Sequence, residues 1–283
     1  FGCPNESREV SMQGRLTASR GRGIQFFPFG AGEWQKEFEV VARLGLDSID
    51  FIFDLENFEN NPLWTAAGRA EIKTLVKKTG VAVRYITADF FMRRPFFRNA
   101  VGEKENAAIL LKLIKIAAEI DARAVEIPLL DNSSIKTDAE EKKFQKSIEQ
   151  CFNQIKNNKI ILALESDLPP AKFSKLLNSF KNPLVKAVYD TGNSSALNYR
   201  PDEELPLIGK FLSHLHIKDR KPADGTVALG AGAADFFAVF SQLKKIGFGG
   251  DFILQAARGA DGTETETVGR QKKFVDNLTK KYL

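Results

Sequence analysis

The amino-acid sequence predicts a single (β/α)8 barrel. Three observations carry that prediction: eight short apolar runs recur along the 283 residues, amphipathic or Lys/Glu-rich stretches separate them, and polar residues stand at the ends of the last four runs. Apolar runs of this length read as parallel strands covered on both faces. Alternation with helices calls for a parallel sheet, and eight repeats in a chain near the roughly 250 residues of such a barrel call for its closure.

The strand-like runs lie at about 9–13, 48–53, 81–87, 123–129, 159–165, 185–190, 212–218 and 251–256. EWQKEFEVVARLG follows the first, AAGRAEIKTLVKKTG the second and EKENAAILLKLIKIAAEID the third, each with helical character, and a closing helix is expected near 264–281. Gly45, Gly80 and Gly247 stand just past helical patterns, where a left-handed cap is common. Pro62, Pro169-Pro170 and Pro201 occupy positions where helices begin. No Pro/Ser-rich linker divides the chain, so one domain over 1–283 is expected. The longest loops, near 89–101 and 219–232, follow strands three and seven and are expected to cover a substrate on the catalytic face.

A hydrophobic fraction of 43% and a charged fraction of 27% are those of an ordinary globular protein and exclude disordered and collagen-like classes. The net charge of +5 arises from 41 Lys+Arg against 36 Asp+Glu, with lysines spread over helix-like segments such as Lys142-Lys143 and Lys244-Lys245. That distribution reads as a solvated helical surface rather than a nucleic-acid footprint. Only Cys3 and Cys151 are present, so a reducing, cytoplasmic compartment is expected rather than a disulfide framework. No apolar run reaches the roughly 18 residues of a membrane span. The opening FGCPNESREV lacks the charged start and apolar region of a signal peptide.

Glu165, Asp190, His216 and Gln255 each end one of the last four runs, 25, 26 and 39 residues apart. Closure of a barrel brings such strand ends around one axis. Two carboxylates, an imidazole and an amide oxygen suit one divalent ion, Mn²⁺, Co²⁺, Mg²⁺ or Zn²⁺, with positions open to substrate oxygens. Period two along the seventh strand puts His214, His216 and Lys218 on the inward face. His216, nearer the strand end, is the expected ligand; His214 is read as a substrate contact or a core histidine satisfied by a backbone carbonyl.

Other polar residues are expected around the mouth. Asn193 and Arg258 lie three positions beyond a proposed ligand, and Arg258 suits a carboxylate or phosphate clamp. Asp219, Glu126 with Asp131 and Asn132, Gln13 and Arg15, and Asp54 and Glu56 are further candidates for contacts. The segment DFFMRRPFFR at 89–98 reads as a lid with apolar contact to substrate or to a neighbouring subunit, which makes a homodimer the expected assembly. The GAGAAD loop at 230–235 is weak as a phosphate motif by itself. Loops after strands seven and eight of barrels often hold phosphate, however, so sugar phosphates stay among the expected substrates.

MQGRL at 12–16, ALES at 163–166, YDTGN at 189–193, HLHIKD at 214–219 and LGAGAADF at 229–236 resemble the sugar-phosphate isomerases and epimerases of the xylose isomerase-like TIM-barrel superfamily. The resemblance runs from Met12 to about Arg258. It implies a divalent metal held by Glu165, Asp190, His216 and residue 255, with substrate hydroxyls replacing water. It also implies an acid/base pair formed by the first and last ligands, both Glu in the epimerases. Gln255 departs from that pattern, because an amide has no proton to exchange near neutral pH.

Three functional classes follow. The leading expectation is a metal-dependent isomerase or epimerase of a sugar or sugar phosphate, with Glu165 as base; lyase chemistry is of the same kind. One-base isomerisation needs only Glu165 and the metal, whereas epimerisation needs a second proton donor, for which Lys218 is the candidate. The second class is a non-catalytic, degenerate sugar-binding barrel, the reading favoured by Gln255. The third, the superfamily's DNA endonucleases with multi-zinc sites, requires many more histidines than two.

Overall fold

A computed structural model of the chain describes residues 8–14, 34–98, 100–222, 225–260 and 262–283. Eight parallel strands close on themselves: β1 (Val10–Gln13), β2 (Ser48–Ile52), β3 (Ala82–Thr87), β4 (Ala124–Leu129), β5 (Ile161–Ser166), β6 (Val185–Asp190), β7 (Leu212–Ile217) and β8 (Asp251–Leu254). Each pairs with its neighbours in sequence, and β8 returns to β1 with Phe252 opposite Val10. The expected (β/α)8 barrel is therefore the architecture, with strand limits within about two residues of those read from the apolar runs.

Helices α1 (Gln35–Arg43), α2 (Ala66–Thr79), α3 (Phe90–Arg93), α4 (Ala100–Glu119), α5 (Asp138–Glu149), α6 (Phe152–Asn158), α7 (Pro170–Ser179), α8 (Thr191–Ala196), α9 (Pro201–Ile208), α10 (Phe236–Lys245) and α11 (Glu264–Tyr282) lie between and after the strands. Local chemistry sets their ends. Thr65 caps α2 by accepting from Gly68 N, and Gly80 closes it at φ 75°. Thr137 and Glu140 form a reciprocal capping box on α5, satisfying two of the backbone N–H groups that the first turn leaves unpaired. Pro170 and Pro201 occupy the first turns of α7 and α9, as read from the sequence. Pro62 does not start a helix; it lies four residues before α2, with its carbonyl packed against Gly68.

Two expected long loops carry structure. The 219–232 segment folds into an antiparallel ribbon pairing Asp219–Lys221 with Gly225–Val227. The 89–101 segment contains α3 and the start of α4, and its Phe90, Phe91, Phe96 and Phe97 are buried. Phe90 packs 5.7 Å from Phe53, Phe91 stacks 4.5 Å from Phe96, and Phe96 lies 5.9 Å from Phe144. The segment expected as an aromatic lid over substrate or a second subunit instead packs its four rings into the chain itself, since burying them is worth more than leaving them to solvent.

The core has two parts. Phe38, Val41, Ile72, Leu110, Ile114, Phe144, Leu176 and Phe240 fill the layer between strands and helices. Inside the barrel a smaller plug of Tyr85, Ala124, Ala163, Val188 and Ile253 packs across the axis. Small inward side chains leave room along the axis for polar groups above and below this plug. Below it, at the N-terminal strand ends, Glu9 pairs with Arg84 at 3.2 Å and Arg123 at 2.9 Å, while Arg123 and Tyr85 both donate to Asp251. Above it lies the candidate site.

Candidate metal centre

Every barrel strand contributes a polar side chain to the layer above the plug: Gln13, Asp50, Thr87, Glu126, Glu165, Asp190 and His216 from β1 to β7, and Gln255 one residue past β8. Inward alternation places them there. All eight are buried, and Asp50, Glu126 and His216 are 0% exposed. Carboxyls held away from water at this density need cations or hydrogen-bond donors, or they keep their protons.

Glu165, Asp190 and His216 offer ligand atoms that all lie within 4.8 Å of one another. His216 Nδ1 is 3.7 Å from Glu165 Oε2 and 3.9 Å from Asp190 Oδ2. Its other nitrogen, Nε2, lies 3.1 Å from Glu126 Oε2. A carboxylate behind a histidine fixes which ring nitrogen carries the proton and leaves the other free to bind a metal. Asp190 is held from the opposite side: its Oδ1 accepts from Gly192 N at 2.8 Å and Asn193 N at 2.7 Å, which turns Oδ2 toward His216. Gly192 is required there, since a Cβ would stand 2.8 Å from Lys218 Cγ.

The electrostatics follow from burial. Burial, then the neighbouring Asp190 charge, pushes the Glu165 carboxyl up to about 8. Burial alone would lower His216, but the carboxylates of Glu126, Glu165 and Asp190 outweigh it and raise the imidazole to about 10. Burial likewise opposes ionisation of Glu126, yet His216 and His214 hold it well below the usual carboxylate range. His214 is lowered by burial against the pull of Glu126; its Nε2 lies 3.0 Å from Glu126 Oε2 and its ring 4.3 Å from that of Tyr85. The two histidines of the chain thus flank one carboxylate.

Lys218 and Gln255 meet directly. Lys218 Nζ donates to Gln255 Oε1 at 3.1 Å and lies 3.6 Å from Asp190 Oδ2. Asn193 donates to Glu165 Oε1 at 2.7 Å and accepts from Arg220 Nη1 at 2.9 Å, so a chain of contacts runs from Arg220 on the ribbon to Glu165. Arg220 was not legible as a site residue, because the ribbon that carries it reads as loop. Asp50 and Thr87 were also missed, although the alternation of Ser48 and Asp50 with apolar neighbours marks an inward polar face.

Other sequence candidates are placed elsewhere. Asp219 is 0% exposed, and its carboxylate accepts from Gly230 N, Gly232 N and Ala234 N at 2.8, 2.9 and 3.0 Å. The glycine-rich loop wraps around the protein's own carboxylate, and a Cβ on Gly232 would stand 2.1 Å from Asp219 Oδ1. Arg258 directs its guanidinium at the carbonyls of Gln13 (2.6 Å) and Ala256 (3.1 Å), tying the ends of β1 and β8 together rather than facing the ion-binding atoms. Asp54 pairs with Arg93 at 3.0 Å, and Asn132 donates to Met92 O at 3.1 Å. Glu56 is exposed. Arg15 lies outside the described residues.

A parallel eight-stranded barrel with two carboxylates and an imidazole converging at the C-terminal strand ends defines a class of metal-competent TIM barrels. The profile described as Xylose isomerase-like TIM barrel matches residues 38–275, and the chain belongs to that family. Over 249 residues it is 26% identical to the L-ribulose-5-phosphate 3-epimerase UlaE of Escherichia coli O1:K1, covering 82% of this chain and 86% of that one. Among solved structures, the IolI protein with a bound zinc atom superposes with a TM-score of 0.77 at 16% identity, over 97% of this chain and 99% of that one. The D-psicose 3-epimerase of Clostridium cellulolyticum H10 with D-tagatose gives 0.73 at 14% identity, over 97% and 99%. Among the described residues no helix is long and apolar enough to cross a membrane.

Proposed function

We propose that this chain is a divalent-metal-dependent isomerase or epimerase that acts on a ketose or ketose phosphate by removing the proton beside the carbonyl, with Glu165 as base. The observation that carries this reading is the convergence of Glu165, Asp190 and His216 within 4.8 Å. The donor set fits a metal: Asp190 Oδ2 and His216 Nδ1 have no hydrogen-bond partner among the described residues and face the same space. A mixed set of two carboxylates and one imidazole suits Mn²⁺, Co²⁺, Mg²⁺ or Zn²⁺. When bound, such an ion supplies Lewis-acid stabilisation of the oxyanion that develops as the proton leaves.

The residues supply the rest. A carboxyl raised to about 8 sits near the working range of a general base or acid. The Asn193 amide holds one Glu165 oxygen at 2.7 Å and so sets the orientation of the other, while Arg220 anchors that amide. Gln255 cannot exchange a proton, but the ammonium it accepts from can, and this contact supports Lys218 as the second proton donor of an epimerisation. UlaE and the psicose epimerase are named for inversion at C3 of ketoses, which makes ketoses with free or phosphorylated termini the substrates to test.

Solvent deuterium exchange into a panel of ketoses and ketose phosphates tests this directly. Wild type loaded with Mn²⁺ is expected to wash deuterium into at least one sugar, and Glu165→Gln to abolish the exchange. Lys218→Met is expected to keep exchange into the starting sugar while losing the inverted product. A specific observation favours one second reading, a sugar-binding barrel without turnover: Gln255 stands where a second acid/base Glu belongs. Sugar binding by calorimetry without any exchange across the panel would establish that reading and sink the catalytic one.

A further inference from the structure

The first turn of α9 carries three acids, and they are used differently. Asp202 and Glu203 pair with Arg200 at the surface, at 2.7 and 3.5 Å. Glu204 turns inward and is 7% exposed, and no ion pair joins its carboxyl among the described residues. Its partners are hydroxyls: Ser194 Oγ donates to Glu204 Oε2, and the Tyr189 phenol hydrogen-bonds to the same pair. Burial pushes the carboxyl up to about 7 against the pull of those two hydroxyls. For stability alone, a well-packed apolar side chain would serve the interior at least as well as an acid held this way. The acid therefore points to a task of position.

Tyr189 and Ser194 bracket the stretch of chain that supports the metal centre. Tyr189 precedes Asp190 on β6 and, by alternation, packs into the outer core while Asp190 faces the axis. Ser194 follows Asn193, whose amide donates to Glu165 Oε1 at 2.7 Å, and the N–H groups of Gly192 and Asn193 hold Asp190 Oδ1. All three supports lie on α8, which has six residues and is too short to keep its place unaided. Thr191 Oγ1 ties its start to Lys218 O at 2.6 Å, and Ser194 ties its middle to α9. Glu165, Tyr189, Asp190, Asn193, Ser194 and Glu204 help to line a shared cavity of about 20 Å³. It has room for about one water and none for a sugar, so Glu204 is kept from the substrate. We propose that Glu204 is a positioning residue of the metal centre: by holding Ser194 from outside the barrel, it sets α8 where Asn193 meets Glu165 and the Gly192 and Asn193 N–H groups meet Asp190. The inference rests on the metal-centre reading above.

Metal affinity of the full-length protein tests this without any substrate. Mn²⁺ titration of chelator-treated protein, with free Mn²⁺ followed by electron paramagnetic resonance, is expected to show binding weakened about tenfold in Ser194→Ala and in Glu204→Ala. Glu204→Gln should bind close to wild type, since its amide oxygen still accepts from Ser194. The double alanine variant should bind no more weakly than either single one, because both act through one contact. Ser194→Ala removes one oxygen at a helical position that favours alanine, so it keeps the test open if Glu204→Ala fails to fold. A merely structural tie predicts a lower urea midpoint in Ser194→Ala with Mn²⁺ affinity unchanged, and that result overturns the inference. Weakening in Glu204→Gln equal to that in Glu204→Ala, or additive weakening in the double variant, overturns it as well. No Mn²⁺ binding by wild type would sink the metal-centre reading and this inference with it, and it is told apart because it precedes any substitution.

Discussion

At the N-terminal end of the barrel, Glu9 and Asp251 meet Arg84, Arg123 and Tyr85, and each carboxylate has an arginine within ion-pair distance. At the C-terminal end, Asp50, Glu126, Glu165 and Asp190 lie around His216 and Lys218, and one oxygen each of Asp50 and Glu126 has no hydrogen-bond partner among the described residues. The same barrel thus closes one end with satisfied charge and leaves the other rich in acceptors. Satisfied ion pairs serve stability, whereas buried acids without enough partners raise the free energy of the fold and persist where a ligand completes them. The family's catalytic face is the acceptor-rich one.

That contrast is broken most sharply at Glu165. Glu165→Gln is expected to lower deuterium exchange by about 10²–10⁴-fold while the urea midpoint stays level or rises, since a repelled buried acid is removed. A large loss of stability with activity intact would invert the comparison. At the other end, Asp251→Ala is expected to cost about 1.5–3 kcal/mol in urea unfolding, because Arg123 and Tyr85 lose a charged partner; turnover per folded molecule should change little.

Asp219→Asn probes a residue on the catalytic face whose task is architectural. Losing one charged acceptor for three loop N–H groups should cost about 1–2 kcal/mol and loosen the loop at 230–234, read as raised hydrogen exchange at Gly230 and Gly232. The smallest effect belongs to Thr137→Ala, which removes an exposed helix cap: about 1 kcal/mol in stability and none in exchange activity. A change in activity there would show that the division between the two ends is less clean than the hydrogen bonding indicates.

The repeat of strand and helix was legible because buried parallel strands must be apolar on both faces, and the runs at 185–190 and 212–218 differ from the observed β6 and β7 by at most one residue. Half of the polar layer was legible for a related reason: a polar residue ending an apolar run has few explanations. Asp50 sits inside its strand, not at its end, and was not legible; Glu126, also inside its strand, was legible only as a wall of the site, and closure of the barrel is what sets it between the two histidines. Asp219 and Arg258 show the converse. Their position near ligands was legible, but not their partners, because backbone N–H and carbonyl groups are the same at every residue and only folding decides which ones a side chain meets.

The amino-acid sequence by itself determined the barrel, its family and the cluster of Glu165, Asp190 and His216, since periodicity and residue type act through local rules. Tertiary structure alone decided that Lys218 reaches Gln255, that Asp219 fills its own glycine-rich loop, that the aromatic segment turns inward, and that Gln13, Thr87 and Asp50 join in one hydrogen-bonded chain across three strands. Each of these joins strands or loops distant in the chain. Their contacts are fixed by closure and stagger of the barrel, which no local pattern of residues encodes.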